Sequence, residues 1–149
     1  MRRLKEHPNV IKLFEVFEGE GNFYFVMEIA EGNSLYDEIK KHSTKPFSDE
    51  EVREIMKMLL EGIEYCGQNR IMHRDIKPEN ILFSKNGNKN ILKIVDFGLA
   101  SYSNESPYIF PKCGTPGFVA PEIANLTDKK QGYSAICDVF SIGVIFHIL

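Results

Sequence analysis

The stretch "IMHRDIKPENILF", from Ile71 to Phe83, constrains this chain more than any other. Two apolar runs, each reading as a short buried strand, enclose His73, Arg74, Asp75, Lys77, Glu79 and Asn80. Only Ile76 and Pro78 interrupt the polar residues. Polar groups held between core strands are costly unless they are paired or face a cleft. A fold that keeps such a loop must therefore bring other polar segments to it.

The rest of the chain reads as α+β with a helical bulk. Ile11 to Phe17 and Phe23 to Ile29 alternate like strands around the turn-rich "EGEGN", which predicts a β-hairpin. "SLYDEIKKH" predicts a short helix. Ser48 and Glu51 form an S-x-x-E capping box. Val52, Ile55, Met56, Leu59, Leu60 and Ile63 follow at helical spacing as a core stripe, and Gly67 is the expected stop. "ILF" and "ILKIV" predict short strands around "SKNGNKN". Ser101 to Pro116 shows no periodicity and is too long for a plain connector, so it reads as a functional loop or a disordered one. "DVFSIGVIFHIL" predicts a buried closing helix.

Composition excludes some functions. The 149 residues are 43% apolar and 26% charged, ordinary for a core-forming protein. A net charge of −3 with no basic block argues against nucleic acid as a partner. The late apolar run is broken by Ser141, Gly143 and His147 and is too short to span a bilayer, so no membrane role is expected. Cys66, Cys113 and Cys137 are widely spaced and form no CxxC pair. They read as reduced thiols, which predicts a cytoplasmic or nuclear location.

Four polar clusters carry the chemistry: His73-Arg74-Asp75 with Lys77 and Asn80; Asp96-Phe97-Gly98; "CGTPGFVAPE" from Cys113 to Glu122; and Asp138 at the head of the last helix. Each alone has a plain explanation, such as a turn, a cap or a solvated loop. Together and in this order, HRD-x-K-x-x-N, DFG and APE match the protein-kinase set of motifs. The chain thus resembles a eukaryotic protein kinase, and "HRDIKPEN" resembles the serine/threonine group. "CGTPGFVAPE" and "CDVFSIGVIFHIL" are similar to the calmodulin-dependent kinase branch.

The resemblance implies a kinase-like fold, with residues 1–29 as part of the N-lobe hairpin region and 30–149 as hinge and C-lobe. It implies ATP and Mg²⁺ as cofactors and Ser/Thr hydroxyls of proteins as acceptors. Phosphoryl transfer asks for positioning and charge more than covalent chemistry. Asp75 would orient the acceptor hydroxyl and take its proton, and Lys77 would set a positive charge on the γ-phosphate. Asn80 and Asp96 would offer hard oxygen ligands to Mg²⁺. Thr115 would tie the peptide-docking segment to Asp75 and Lys77, and Asp138 would accept backbone N–H groups of the HRD loop. Met27 would be the gatekeeper, the carbonyl of Glu28 and amide of Ala30 would meet adenine, and Leu82 would floor the ring. Leu13, His73 and Phe97, with Met1 above them, would form an apolar stack. His73 is thereby a packed residue and no base. Glu79 would read a basic residue preceding the acceptor, though a solvated loop carboxylate explains it equally well.

One regulatory trace is legible. Relatives switched by phosphorylation often carry Thr four residues before the equivalent of Thr115, where this chain has Pro111. Arg74 is therefore not expected to await a phosphate there.

Two motifs of the family are absent from the 149 residues: G-x-G-x-x-G and V-A-I-K. "MRRLKE" reads as the last turns of a helix, and the chain reads as a partial domain, cut at both ends. An isolated hairpin would leave its apolar face exposed. The competing expectation is a kinase-like binding or regulatory fragment without catalysis. A small-molecule phosphotransferase of the same broad fold is disfavoured by Lys77 and the "CGTPGFVAPE" segment.

Overall fold

The computed structural model describes residues 4–43, 45–86, 89–103 and 105–149, excepting the side chains of 86 and 89. Met1 of the expected stack lies outside the described residues, and Leu4–Glu6 are not helical. The chain opens on an antiparallel hairpin, β1 (Leu13–Gly19) and β2 (Asn22–Met27), paired from Leu13↔Met27 to Gly19↔Asn22. β1 starts two residues later than the alternation predicts. Ile11 is already committed elsewhere, its N–H donating to the Ile94 carbonyl at 3.0 Å. The expected exposure of the hairpin's apolar side chains is realised: Phe23 is 61% and Phe25 58% accessible.

Two helices follow, each started by a serine. α1 (Leu35–Lys41) begins on a Ser34–Asp37 capping box that the sequence reading passed over. α2 (Asp49–Gln68) begins on the expected box, with Ser48 N–H donating to Glu51 Oε2 at 2.8 Å. α2 runs past Gly67 to end at Asn69, whose Nδ2 donates to the Tyr65 carbonyl at 2.8 Å. A side chain that caps the free carbonyl replaces the glycine stop.

Ile55, Leu59 and Ile63 of α2 are buried against Leu35, Ile76, Ile81, Leu92, Ile94, Ile142 and Ile145. Each fully buried side chain of this size contributes roughly 1.5–3 kcal/mol. Leu60, at the edge of the predicted stripe, is half exposed.

The polar loop lies between β3 (Ile71–Met72) and β4 (Ile81–Asn86), ending in a 3-10 turn, Pro78–Asn80. β4 pairs antiparallel with β5 (Lys89–Ile94), Ile81 opposite Ile94. β3 pairs with β6 (Ser101–Tyr102). In the segment after β6 Tyr108 is buried in a second cluster with Met72, Ile123 and Tyr133, which speaks against the disordered alternative there.

α3 (Pro121–Ala124) and α4 (Ile136–Ile148) complete the fold. α4 corrects the expectation of a wholly buried helix. Cys137, Asp138, Ser141, Ile142 and Ile145 face inward, while Ile136 is 70% and Phe146 60% accessible. Among the described residues no helix is long and apolar enough to cross a membrane.

The hairpin joins the helical body through 28–33. Gly32 N–H donates to the Phe83 carbonyl at 2.8 Å, and Phe83 N–H donates to Asn33 O at 2.9 Å. A Cβ on Gly32 would sit 2.5 Å from the Phe83 carbonyl oxygen, so only glycine allows this approach.

Candidate active site

The two residues that interrupt the polar stretch anchor it. Ile76 is fully buried in the main core and Pro78 is buried beside it, while Asp75 and Lys77 alternate outward. Asp75 is the hub. Its carboxylate lies 3.0 Å from Lys77 Nζ and accepts the Thr115 hydroxyl at 2.6 Å. Lys77 Nζ also donates to Thr115 Oγ1 at 2.9 Å, closing a triangle. Asn80 Nδ2 donates to the Asp75 carbonyl at 2.9 Å and to its carboxylate at 3.1 Å. Burial works to raise the Asp75 carboxyl, but the Thr115 hydroxyl and the Lys77 ammonium outweigh it and hold it below the usual aspartate range. It is therefore ionised at neutral pH.

Thr115 reaches Asp75 because Gly114 lies against the loop. Gly114 has φ +113, and a Cβ there would come within 2.8 Å of the Arg74 carbonyl oxygen.

Below the triangle, Asp138 braces the loop. Oδ2 accepts His73 N–H at 2.7 Å and Oδ1 accepts Arg74 N–H at 2.8 Å, with Asp138 1% exposed. Its carboxylate thus serves a segment 64 residues away in sequence instead of capping α4. Arg74 itself has φ +69. A non-glycine residue in that region costs of order 1–3 kcal/mol, which the surrounding bonds must offset.

His73 is neutral by its contacts. Nε2 lies 2.7 Å from the Val95 carbonyl, which can only accept, and Nδ1 receives the Asp75 N–H at 3.2 Å. Burial lowers its proton affinity further. Its ring packs edge-on against Phe97 at 4.8 Å, which forms that part of the expected stack, and Leu13 lines the same cleft as Phe97.

Asp96 follows β5. The pairing of Ile81 with Ile94, extended by Val95 N–H donating to the Asn80 carbonyl at 3.0 Å, returns it beside Asn80. Asp96 has φ +58, and its carboxylate accepts Gly98 N–H at 3.1 Å. Because Asn80 spends its Nδ2 on Asp75, its Oδ1 is left for another partner. Two hard oxygen donors on adjacent segments suit Mg²⁺, which keeps waters and shares phosphate oxygens instead of demanding a full protein cage.

Of the nucleotide residues predicted from sequence, Met27 and Asp96 line one cleft of about 730 Å³ with Val16, Phe25 and Phe97. Glu28, Ala30 and Leu82 are not among its lining residues. They sit at the crossing to the helical body, where Leu82 bridges Ser34.

A protein-family model described as "Protein kinase domain" matches residues 1–149. The chain belongs to the protein kinase family. Calcium-dependent protein kinase 5 of Plasmodium berghei is 40% identical over 144 residues, covering 97% of this chain and 24% of the relative. Calcium-dependent protein kinase 3 of Plasmodium yoelii yoelii is 42% identical over 145 residues, 97% of this chain and 26% of the relative. CBL-interacting protein kinase 26 of Oryza sativa subsp. japonica is 40% identical over 151 residues, 99% of this chain and 29% of the relative. The chain thus spans about a quarter of the length of the curated relatives it matches. These relatives agree with the resemblance to the calmodulin-dependent branch.

Within this kinase chain, sequence reasoning missed the surroundings of Arg74. The buried guanidinium donates to the carbonyls of Leu99 at 2.6 Å and Phe110 at 2.8 Å and to the Tyr133 hydroxyl at 2.9 Å. The Tyr108 ring lies 5.2 Å from it. All these partners are neutral. No local signal marks Tyr133, which sits in an irregular stretch between α3 and α4.

Proposed function

We propose that this chain carries the phosphoryl-transfer centre of a serine/threonine protein kinase, moving the γ-phosphate of ATP to Ser or Thr hydroxyls of protein substrates. The Asp75–Thr115–Lys77 triangle carries the reading. An ionised carboxylate, aimed by a hydroxyl and an ammonium, is placed to orient an acceptor hydroxyl and receive its proton. Lys77 supplies positive charge where the transferring phosphate gathers negative charge. Asn80 Oδ1 and the Asp96 carboxylate are the residues that would hold Mg²⁺. When bound, the ion neutralises phosphate charge. Met27 would bound the adenine pocket at the edge of the cleft, and the Glu28 carbonyl, the Ala30 amide and Leu82, at the crossing that follows Met27, would orient adenine and floor its ring. The exposed Glu79 carboxylate favours substrates with a basic residue before the acceptor. Three free thiols support a cytoplasmic or nuclear setting.

The test is transfer of labelled phosphate from Mg²⁺-ATP to a Ser/Thr peptide preceded by arginines, with Asp75→Asn as control. The variant should lose at least about 10²-fold in rate. Transfer that persists unchanged in Asp75→Asn overturns the assignment. Nucleotide binding with no transfer by the unaltered chain selects the non-catalytic, regulatory reading.

A further inference from the structure

Among the described residues Lys93 is the one buried lysine, at 5% exposure. It lies in β5 between the core residues Leu92 and Ile94 and projects to the opposite face of the strand. On an isolated hairpin that face would be solvated. Here its ammonium meets Glu28 Oε1 at 2.8 Å. The other carboxylate oxygen, Oε2, accepts Lys12 N–H at 3.2 Å, and Glu28 N–H donates to the Lys12 carbonyl at 2.9 Å. Glu28 is therefore held by main chain and side chain together, at the point where the chain leaves β2 for the helical body.

The same short stretch of β5 also takes bonds from the residues that lead into the hairpin. Ile94 N–H donates to Asn9 O at 2.9 Å, Ile11 N–H donates to Ile94 O at 3.0 Å, and Asn9 Nδ2 donates to Leu92 O at 2.9 Å. Asp96 stands three residues after Lys93, roughly 10 Å along an extended chain. One continuous segment thus carries both the lysine that grips the crossing and the carboxylate assigned to the metal.

We infer that Lys93 is a positioning residue for nucleotide. Through Glu28 it fixes residues 28–32 against β5, and so sets the Glu28 and Ala30 backbone groups at a defined distance from Asp96. The proposal rests on the adenine-facing role given above to Glu28 and Ala30. A buried ammonium has one strong partner here, so neutralising either member leaves the other charge uncompensated and loosens the crossing from both ends.

The experiment compares the chain with Lys93→Met and Glu28→Gln by amide hydrogen exchange and by calorimetric titration of Mg²⁺-ADP. Both variants break the same pair, and Glu28→Gln does so from its more exposed side, so a folding failure of one leaves the other. The expected result is faster exchange at the Glu28 and Gly32 amides by about tenfold, with Ile55–Ile63 of α2 unchanged, and weaker Mg²⁺-ADP binding by a similar factor. The double variant should be no worse than either single. Unchanged exchange at Glu28 and Gly32, or equal acceleration throughout α2, overturns the inference. If the unaltered chain binds no Mg²⁺-ADP, the proposed function fails on that arm, while the exchange arm still decides whether Lys93 holds the crossing.

Discussion

Arg74 and Tyr133 share a buried hydrogen bond of 2.9 Å, from guanidinium to phenol, and the same hydroxyl donates onward to the Pro111 carbonyl at 3.0 Å. Tyr133 thus adds a second connection, beside the direct Arg74–Phe110 bond, between the HRD loop and the segment that follows β6. Burial pushes the phenol up to about 12, despite the nearby guanidinium, so it remains protonated and able to donate.

Tyr133→Phe keeps the ring against Tyr108 and removes only the hydroxyl. It should cost about 2 kcal/mol, since a hydrogen bond to a buried charge is lost. Urea unfolding measures this. Phosphatase treatment of the unaltered chain should leave proteolytic cleavage of residues 105–116 unchanged, because position 111 is a proline and can carry no phosphate.

Asp138→Asn replaces a carboxylate that accepts two buried N–H groups by an amide that can accept only one and points its own NH₂ at the other. A loss of about 2–4 kcal/mol is expected, with the HRD loop opening first. Exchange at the His73 and Arg74 amides, followed alongside global unfolding, checks it.

Thr115→Val preserves shape but deletes the hydroxyl that joins Asp75 to Lys77. Transfer should fall by about 10–10²-fold through misplacement of Asp75, while Thr115→Ser should recover most of it. Turnover of the two variants on one peptide separates the outcomes.

His7 supplies a pH dependence. Its ring stacks on Tyr65 at 4.7 Å, and its Nδ1 receives Asn9 N–H at 3.2 Å, an arrangement open only to a ring without a proton on that atom. Burial first, opposed by Glu61 and aided by Lys93, lowers its proton affinity from the ordinary value of 6.5. The unfolded chain therefore binds the proton more readily. This stabilisation is fully present above pH 6.5 and is lost as pH falls through the lower folded value. His7→Phe retains the stack and should flatten that part of a stability-versus-pH curve.

The aromatic side chains of β2 predict self-association. Phe23→Glu with Phe25→Lys should reduce light scattering without lowering the unfolding midpoint, since both positions are exposed.

The sequence by itself determined what is local or strictly ordered. Ser48 and Glu51 announce α2, and Ile81 and Ile94 mark the strands that bring Asn80 to Asp96. The order HRD, DFG and APE identifies the family. These features rest on spacing of a few residues, or on motifs whose order survives in one dimension. Tertiary structure decided the rest. No pattern in the sequence marks Lys93 as buried, and it is Glu28, arriving from the hairpin, that pairs its charge there. Tyr133 carries no pattern, yet packing against Tyr108 aims its hydroxyl at Arg74. The last helix is apolar nearly all round, so periodicity cannot choose its inward face. The core contacts of Ile142 and Ile145 choose it, and turn Asp138 toward the loop on which the chemistry depends.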